Sequence, residues 1–218
     1  MSLIQEKDRE PIRKRLEELE HPVKILNFTQ EFECTYCSET RQLLEELNHL
    51  SDKITLEVYD FVADKAEAEK YKIDKIPATV ILGERDYGIR FYGIPSGYEF
   101  ATLLEDLVMV SKRDSGLEPE SRRKLAELKQ PLHLQVFVTP TCPYCPAAVR
   151  FAHQFAMESD QVTADMVEAT EFPELSQRYG VMGVPRTIAN DKTAAEGAMP
   201  ERPFLDQILR AVEPGQTA

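Results

Sequence analysis

The chain is written twice, and this constrains its fold more than any other feature. "CTYC" begins at residue 34 and "CPYC" at 142, 108 residues apart. "KIPAT" has its proline at 77 and "GVPRT" has its own at 185, again 108 apart. Asp60 closes the stretch "LEVYD" and Glu168 closes "ADMVE", with the same offset of 108. Three landmarks of different chemistry that share one spacing mark a tandem duplication. In 218 residues each copy has about 100, the size of a small domain with its own core.

Both copies carry one local pattern. In the second, "LHLQVFV" (132–138) alternates apolar and polar at its start and reads as a strand. "CPYCPAAVRFAHQFAM" then sets Val149, Phe151, Ala152, Phe155 and Ala156 on one face at helical spacing. "VTADMVE" reads as a strand and "FPELSQRYG" as a short helix ending near Gly180. "VPRTIA" and "TAAEG" read as a hairpin, and "RPFLDQILRAV" as an amphipathic helix. The first copy runs parallel: "VKILNFT", a helix from Cys37 to Leu50, "ITLEVYD", "DKAEAEKYK", "IPATVIL", "GIRFYG" and "YEFATLLEDLVMV". The order β-α-β-α-β-β-α places a crossover helix between parallel strands and a hairpin at one edge. "PIRKRLEELE" and "SRRKLAELKQ" supply a leading helix to each copy. The polar join "SKRDSGLEPE" (111–120), with Gly116 and Pro119, predicts units at 1–115 and 116–218.

Charge narrows the partners. The net charge is −12, and both halves are acidic: 24 acids against 16 bases in 1–115, then 14 against 10. Nucleic acid and anionic membrane are therefore poor partners, since phosphate binding needs clustered Lys and Arg. No run approaches 18 apolar residues, and the charged start "MSLIQEKDREPIRKRLEELE" reads as a helix rather than a signal peptide. A cytoplasmic address is expected. Few asparagines beside many Glu, Lys and Arg hint at a thermophile.

All four cysteines fall in the two Cys-x-x-Cys motifs, which suits a redox pair, part of a metal site or a crosslink. A zinc site commonly draws on two such pairs about 15–20 residues apart. Here 104 residues separate Cys37 from Cys142. An inert bridge of this spacing closes a tiny loop and constrains little unfolded-state entropy. Redox chemistry fits best. Only a thiolate attacks a disulfide, and a helix N-terminus favours an anion through its free N–H groups and dipole. Cys34 and Cys142 are thus expected as exposed attacking sulfurs, with Cys37 and Cys145 one turn on as shielded resolving sulfurs. Pro143 is expected at the first helical position, where a missing N–H is no loss. Thr35 holds the matching place in the first motif, so the two sites should differ in potential.

Pro77 and Pro185 each lie 43 residues after the leading cysteine. A cis X–Pro bond there, ahead of a strand passing the dithiol, would leave backbone groups free for an extended substrate. Asp60 and Glu168 end strands on the side where α/β sheets place their sites, and are candidate proton relays for the resolving thiol, although an ordinary strand-end carboxylate is the simpler reading. Tyr36 and Tyr144 are expected to cover the motifs. His21, His49, His133 and His153 are scattered outside the dithiols and read as surface or strand residues.

"CPYC", "VPRT" about forty residues on, and the strand–helix order resemble glutaredoxin and thioredoxin. The tandem arrangement, with "CTYC" before "CPYC" and "DYGIRFYGIPSGYEF" in the first copy, resembles the protein disulfide oxidoreductases of thermophilic archaea and bacteria. This resemblance covers essentially the whole chain. It implies two fused thioredoxin-like folds (three-layer α/β/α, mixed sheet), a cytoplasmic enzyme of dithiol–disulfide exchange, and Cys34, Cys37, Cys142 and Cys145 as its active residues. Several family marks are missing. Glu33 and Thr141 stand where thioredoxin has tryptophan, Phe28 and Val136 where it has a buried acid. "EGAMPER" has Gly197 and a displaced Glu201 where glutathione-binding relatives carry a Gly-Gly pair and an acid. No cofactor, glutathione included, is therefore expected, and no metal.

The expected partners are proteins that present disulfides or dithiols. Without a G-x-G-x-x-G motif the chain would depend on a thioredoxin reductase-like flavoprotein for electrons, and a peroxiredoxin is a candidate acceptor. A carrier between those two proteins is the alternative enzymatic reading. A chaperone-like module that clasps unfolded chains is the non-catalytic one.

Overall fold

The structure is a computed structural model that describes residues 2–212. Met1 and residues 213–218, the end of the second expected unit, lie outside the described residues. The first copy comprises α1 (Glu6–Leu16), β1 (Val23–Thr29), α2 (Cys37–Asn48), β2 (Ile54–Asp60), α3 (Lys65–Lys70), β3 (Ala78–Leu82), β4 (Asp86–Tyr92) and α4 (Tyr98–Lys112). The second comprises α5 (Pro119–Ala126), β5 (Leu132–Val138), α6 (Cys145–Glu158), β6 (Val162–Glu168), α7 (Pro173–Arg178), β7 (Arg186–Ala189), β8 (Thr193–Glu196) and α8 (Glu201–Leu209). The chain thus repeats one α-β-α-β-α-β-β-α plan, that of a thioredoxin-like fold.

The two copies share one sheet, in the order β2-β1-β3-β4-β6-β5-β7-β8. Within each copy the first strand runs parallel to the second and antiparallel to the third, which the crossover and hairpin connections require. The join is β4 against β6, parallel, with Ile89 opposite Ala164 and Tyr92 opposite Val167. Following the pairings across the join, β1 and β5 point the same way.

Alternation along these strands separates two cores. Ile25, Ile89, Phe91, Leu134 and Val136 face the layer of α1, α2, α4, α5, α6 and α8, packing with Leu44, Leu103, Leu107, Phe155 and Phe204. Leu26, Phe28, Tyr92, Phe137 and Val167 face the opposite side, where α3 contributes Ala68, α7 contributes Leu175, and Tyr179 follows at the end of α7. Each fully buried Leu or Phe here is worth roughly 1.5–3 kcal/mol relative to exposure.

Helix α4 is enclosed by the sheet, α1 and α6. Its apolar residues reach the first core, and a second stripe, Glu99, Thr102 and Asp106, is buried as well. Asp106 accepts a 2.6 Å bond with His153 Nδ1 on α6, and both residues are fully buried. His153 therefore belongs neither to the surface nor to a strand, contrary to the expectation from sequence. Its place on α6 turns it inward, where the Phe91 ring meets it edge-on at 4.9 Å.

Candidate active site

Both dithiols sit where a strand hands over to a helix. β1 ends at Thr29 and α2 begins at Cys37; β5 ends at Val138 and α6 begins at Cys145. Because β1 and β5 are co-directional and α2 and α6 lie in the same layer, the two sites share one edge and one face of the sheet. Four interstrand steps separate those strands, roughly 19 Å.

Cys34 is bonded to Cys37 and Cys142 to Cys145, each with Cα atoms 5.5 Å apart. Cys37 and Cys145 are fully buried. Cys34 is half-buried, whereas Cys142 is only 7% exposed, against the expectation of an open attacking sulfur. The turn before Cys142 also meets the other copy. The Tyr98 N–H at the start of α4 donates to the Pro140 carbonyl at 3.1 Å, laying the first copy across the turn that leads to Cys142. Gly97 makes this approach with φ +60°; a Cβ there would stand 2.9 Å from the Pro140 carbonyl carbon and closer still to its oxygen. Only glycine combines that φ with that approach.

Pro143 does not occupy the first helical position. α6 starts at Cys145, with Tyr144 as its N-cap and Pro146 inside the first turn. Pro143 and Tyr144 instead form the turn that brings the leading sulfur back over the helix end. The Cys145 N–H donates to Cys142 Sγ at 3.1 Å, so the sulfur takes up one of the unpaired amides of that end.

The X–Pro bonds Ile76–Pro77 and Val184–Pro185 are both cis. Beyond each, the proline carbonyl accepts from the facing strand, from Gly93 in the first copy and Gly197 in the second, both at 2.9 Å. Among the described residues the backbones of Ile76 and Val184 make no hydrogen bond.

Asp60 and Glu168 stand at matching strand ends, opposite Thr29 and Val138. Their surroundings differ. Asp60 is half-buried, and its Oδ1 accepts from the Val62 and Ala63 amides at 2.9 and 2.7 Å. Glu168 is 2% exposed; one oxygen accepts from Thr170 Oγ1 at 2.6 Å and the Glu171 amide at 2.8 Å, and the other has no partner among the described residues. Next to it Glu171 accepts the Ile94 N–H of the first copy at 2.6 Å. Burial first, and then the charge of Glu168, push the Glu171 carboxyl up to about 7.

A further acid was not evident from the sequence. Glu99, one residue beyond the Tyr98–Pro140 bond, is 1% exposed, with neither carboxylate oxygen hydrogen-bonded among the described residues. Burial raises it to about 7, with Asp106 adding to the rise while Thr102 and His153 oppose it. A signal was available. Glu99, Thr102 and Asp106 fall at i, i+3 and i+7 on a helix otherwise mostly apolar, so this stripe had to pack against something.

The exposed large apolar side chains at the site edge are Phe32, Tyr36 and Val62 beside the first dithiol and Tyr98, Tyr144 and Met182 beside the second. Phe32 and Val62 line an open cleft of about 360 Å³ with Gln30, Glu31, Glu33 and Asp60. No group of three or more metal-ligating side chains occurs among the described residues. None of the helices described is long and apolar enough to cross a membrane.

Comparison with known proteins agrees with this geometry. The family described as Thioredoxin domain matches residues 132–210, the second copy. The chain superposes on the structure of a protein disulfide oxidoreductase from Aeropyrum pernix with a TM-score of 0.92 at 32% identity, covering 99% of this chain and 96% of that one. It is similar to the alkylhydroperoxide reductase AhpF of Enterococcus faecalis, with a TM-score of 0.86 and 28% identity over 94% of this chain and 98% of that one. Among curated sequences it is 25% identical over 178 residues to a Bacillus subtilis NADH dehydrogenase, covering 81% of this chain and 32% of that protein. The corresponding alkyl hydroperoxide reductase of Staphylococcus epidermidis is 26% identical over 78% of this chain and 31% of that protein. The chain spans about a third of the length of these curated relatives. Whole-length similarity to the Aeropyrum structure, with a dithiol at the head of α2 and of α6, places the chain in the protein disulfide oxidoreductase family.

Proposed function

We propose that the chain is a two-site thiol–disulfide oxidoreductase built from redox units 1–115 and 116–218, acting in the cytoplasm. The observation that carries this reading is the 3.1 Å contact from the Cys145 N–H to Cys142 Sγ. In the reduced protein the same amide faces the leading sulfur and stabilises its thiolate over the thiol. Cys142 attacks a substrate disulfide, one substrate sulfur leaves as thiolate, and Cys145 resolves the mixed disulfide. Cys34 and Cys37 do the same at the first site. The unpaired backbones at Ile76 and Val184, held by Pro77 and Pro185, offer hydrogen bonds to an extended substrate strand. Glu168 is the better candidate for proton relay, being buried with a free oxygen, whereas one oxygen of Asp60 holds two amides of the turn that follows it.

The second site is expected to turn over substrate faster. Insulin reduction by Cys34→Ser and Cys142→Ser variants tests this, with the larger loss expected from Cys142→Ser. Equal losses would overturn the ranking, and full activity in both variants would overturn the mechanism.

Similarity to the alkylhydroperoxide reductases favours a second reading, in which the chain carries electrons from a thioredoxin reductase-like flavoprotein to a peroxiredoxin. Steady NADPH consumption in a mixture of the three proteins, lost when all four cysteines are changed to serine, would support it.

A further inference from the structure

The duplication provides an internal control for what each dithiol was built to meet. Around the first site the charges carry one sign. Glu31, Glu33, Glu39 and Asp64 are exposed, Asp60 is half-exposed, and none of the five forms an ion pair among the described residues. Several bases of this copy are engaged elsewhere, Arg41 with Glu45 at 2.7 Å, Lys65 with Glu69 at 3.5 Å, Lys70 with Glu67 at 2.9 Å and Lys75 with Asp74 at 2.5 Å, while the exposed Lys72 forms no ion pair among the described residues. At the offset of 108 the second copy has Thr139, Thr141 and Ala147 for Glu31, Glu33 and Glu39, and Phe172 for Asp64. The remaining counterpart, Glu168, is turned into the interior. The second mouth therefore keeps its apolar rim of Tyr144, Met182 and Tyr98 without exposed acids at these positions; the acids beside it are the buried Glu168 and the half-buried Glu171.

The acids alone do not make a site; the dithiol does. Glu31, Glu33 and Asp60 border the cleft of about 360 Å³ beside Cys34, whose walls include the exposed Phe32 and Val62. A substrate that reaches Cys34 crosses this field at short range, where like-signed walls concentrate ligands of opposite charge and raise their encounter rate by about tenfold or more at low salt. Anionic disulfides are repelled by the same charges.

We propose that the first site selects disulfides within positively charged polypeptide segments, whereas the second accepts substrates with little regard to charge. This rests on both dithiols being exchange sites. The reaction balances within the protein and its substrate. The Cys34 thiolate attacks one substrate sulfur and expels the other as a thiolate, which takes a proton from water. Cys37 gives its proton to solvent and attacks Cys34, releasing the second substrate thiolate. Two electrons pass from the protein dithiol to the substrate disulfide.

The test is single-turnover reduction by protein pre-reduced with dithiothreitol and freed of it. A Cys142→Ser/Cys145→Ser chain reports the first site and a Cys34→Ser/Cys37→Ser chain the second. Two peptides share one cystine core, flanked by lysines in one and by glutamates in the other. Dividing the Lys/Glu rate ratio at the first site by that at the second cancels the peptides' intrinsic reactivities. The quotient is expected at about ten in low salt, falling toward one at about 0.5 M NaCl as screening shortens the field. Glu31→Gln/Glu33→Gln, both exposed positions, should lower it at least twofold. A quotient near one in low salt, or one that ignores both salt and the Gln changes, overturns the proposal. If neither chain reduces either peptide, the exchange reading beneath it falls instead.

Discussion

Changing Glu99 to glutamine tests how the first copy's buried acid responds to pH. The substitution keeps the side chain's size and removes only its ability to ionise. Glu99 is held at about 7 against an ordinary 4.5, a difference of roughly two and a half units. At about 1.4 kcal/mol per unit this corresponds to about 3 kcal/mol. The carboxyl binds its proton more tightly in the folded chain, so the associated stability is fully present below about pH 4.5 and is lost as pH rises through 7. A glutamine amide has no such dependence. Urea unfolding of both oxidised proteins at pH 5, 6, 7 and 8 reads the difference directly, and Glu171 cancels because both proteins carry it. The stability of Glu99→Gln relative to the parent should rise by about 2–3 kcal/mol from pH 5 to pH 8, most of it below pH 7. A constant difference, or one that narrows with rising pH, would refute the assignment of a buried, proton-holding carboxyl.

Three further outcomes follow from named contacts. Gly97→Ala should cost about 2–4 kcal/mol in denaturant unfolding and speed alkylation of reduced Cys142 but not Cys34, because its Cβ collides with Pro140 at an unfavourable φ. Asp106→Ala should cost about 3 kcal/mol, visible as a lower melting temperature, by leaving His153 buried without its partner; an unchanged melting temperature would show the pair to be dispensable. Glu168→Gln should slow resolution of a Cys142 mixed disulfide about tenfold or more while sparing the initial attack, as rapid-quench mass spectrometry would show.

Much of this arrangement was legible in the residues. The offset of 108 located both copies, and the pattern placed the strands and helices of the described residues, although α1 spans Glu6–Leu16 and α5 Pro119–Ala126 where 11–20 and 121–130 were expected, and α2 ends at Asn48 rather than Leu50. The fold and the strand-to-helix position of each dithiol followed from local pattern, because a Cys-x-x-Cys motif after a strand and before a helical stripe reads the same wherever it occurs. Interior polar residues were less legible. Glu99, Asp106 and His153 each look like surface residues alone, and only the packing of α4 against α6 turns them inward. Cys142 was expected to be open but is nearly buried, and the turn before it is bonded to the other copy through the Tyr98 N–H and the Pro140 carbonyl. Pro143 fits a helix start on local grounds, yet the turn that returns the sulfur to the Cys145 amide takes precedence.

The sequence by itself determined two copies of one unit, their secondary structure and their sulfur pairs, since those depend on neighbours a few residues apart. Tertiary structure alone decided that β4 and β6 would join the copies into one sheet, and hence that both dithiols would open on the same edge. It also decided that the first copy would touch the turn leading to the second dithiol while exposed acids border its own. Such relations depend on strand pairing and desolvation between segments distant in the chain, and local sequence holds no record of which surfaces will meet.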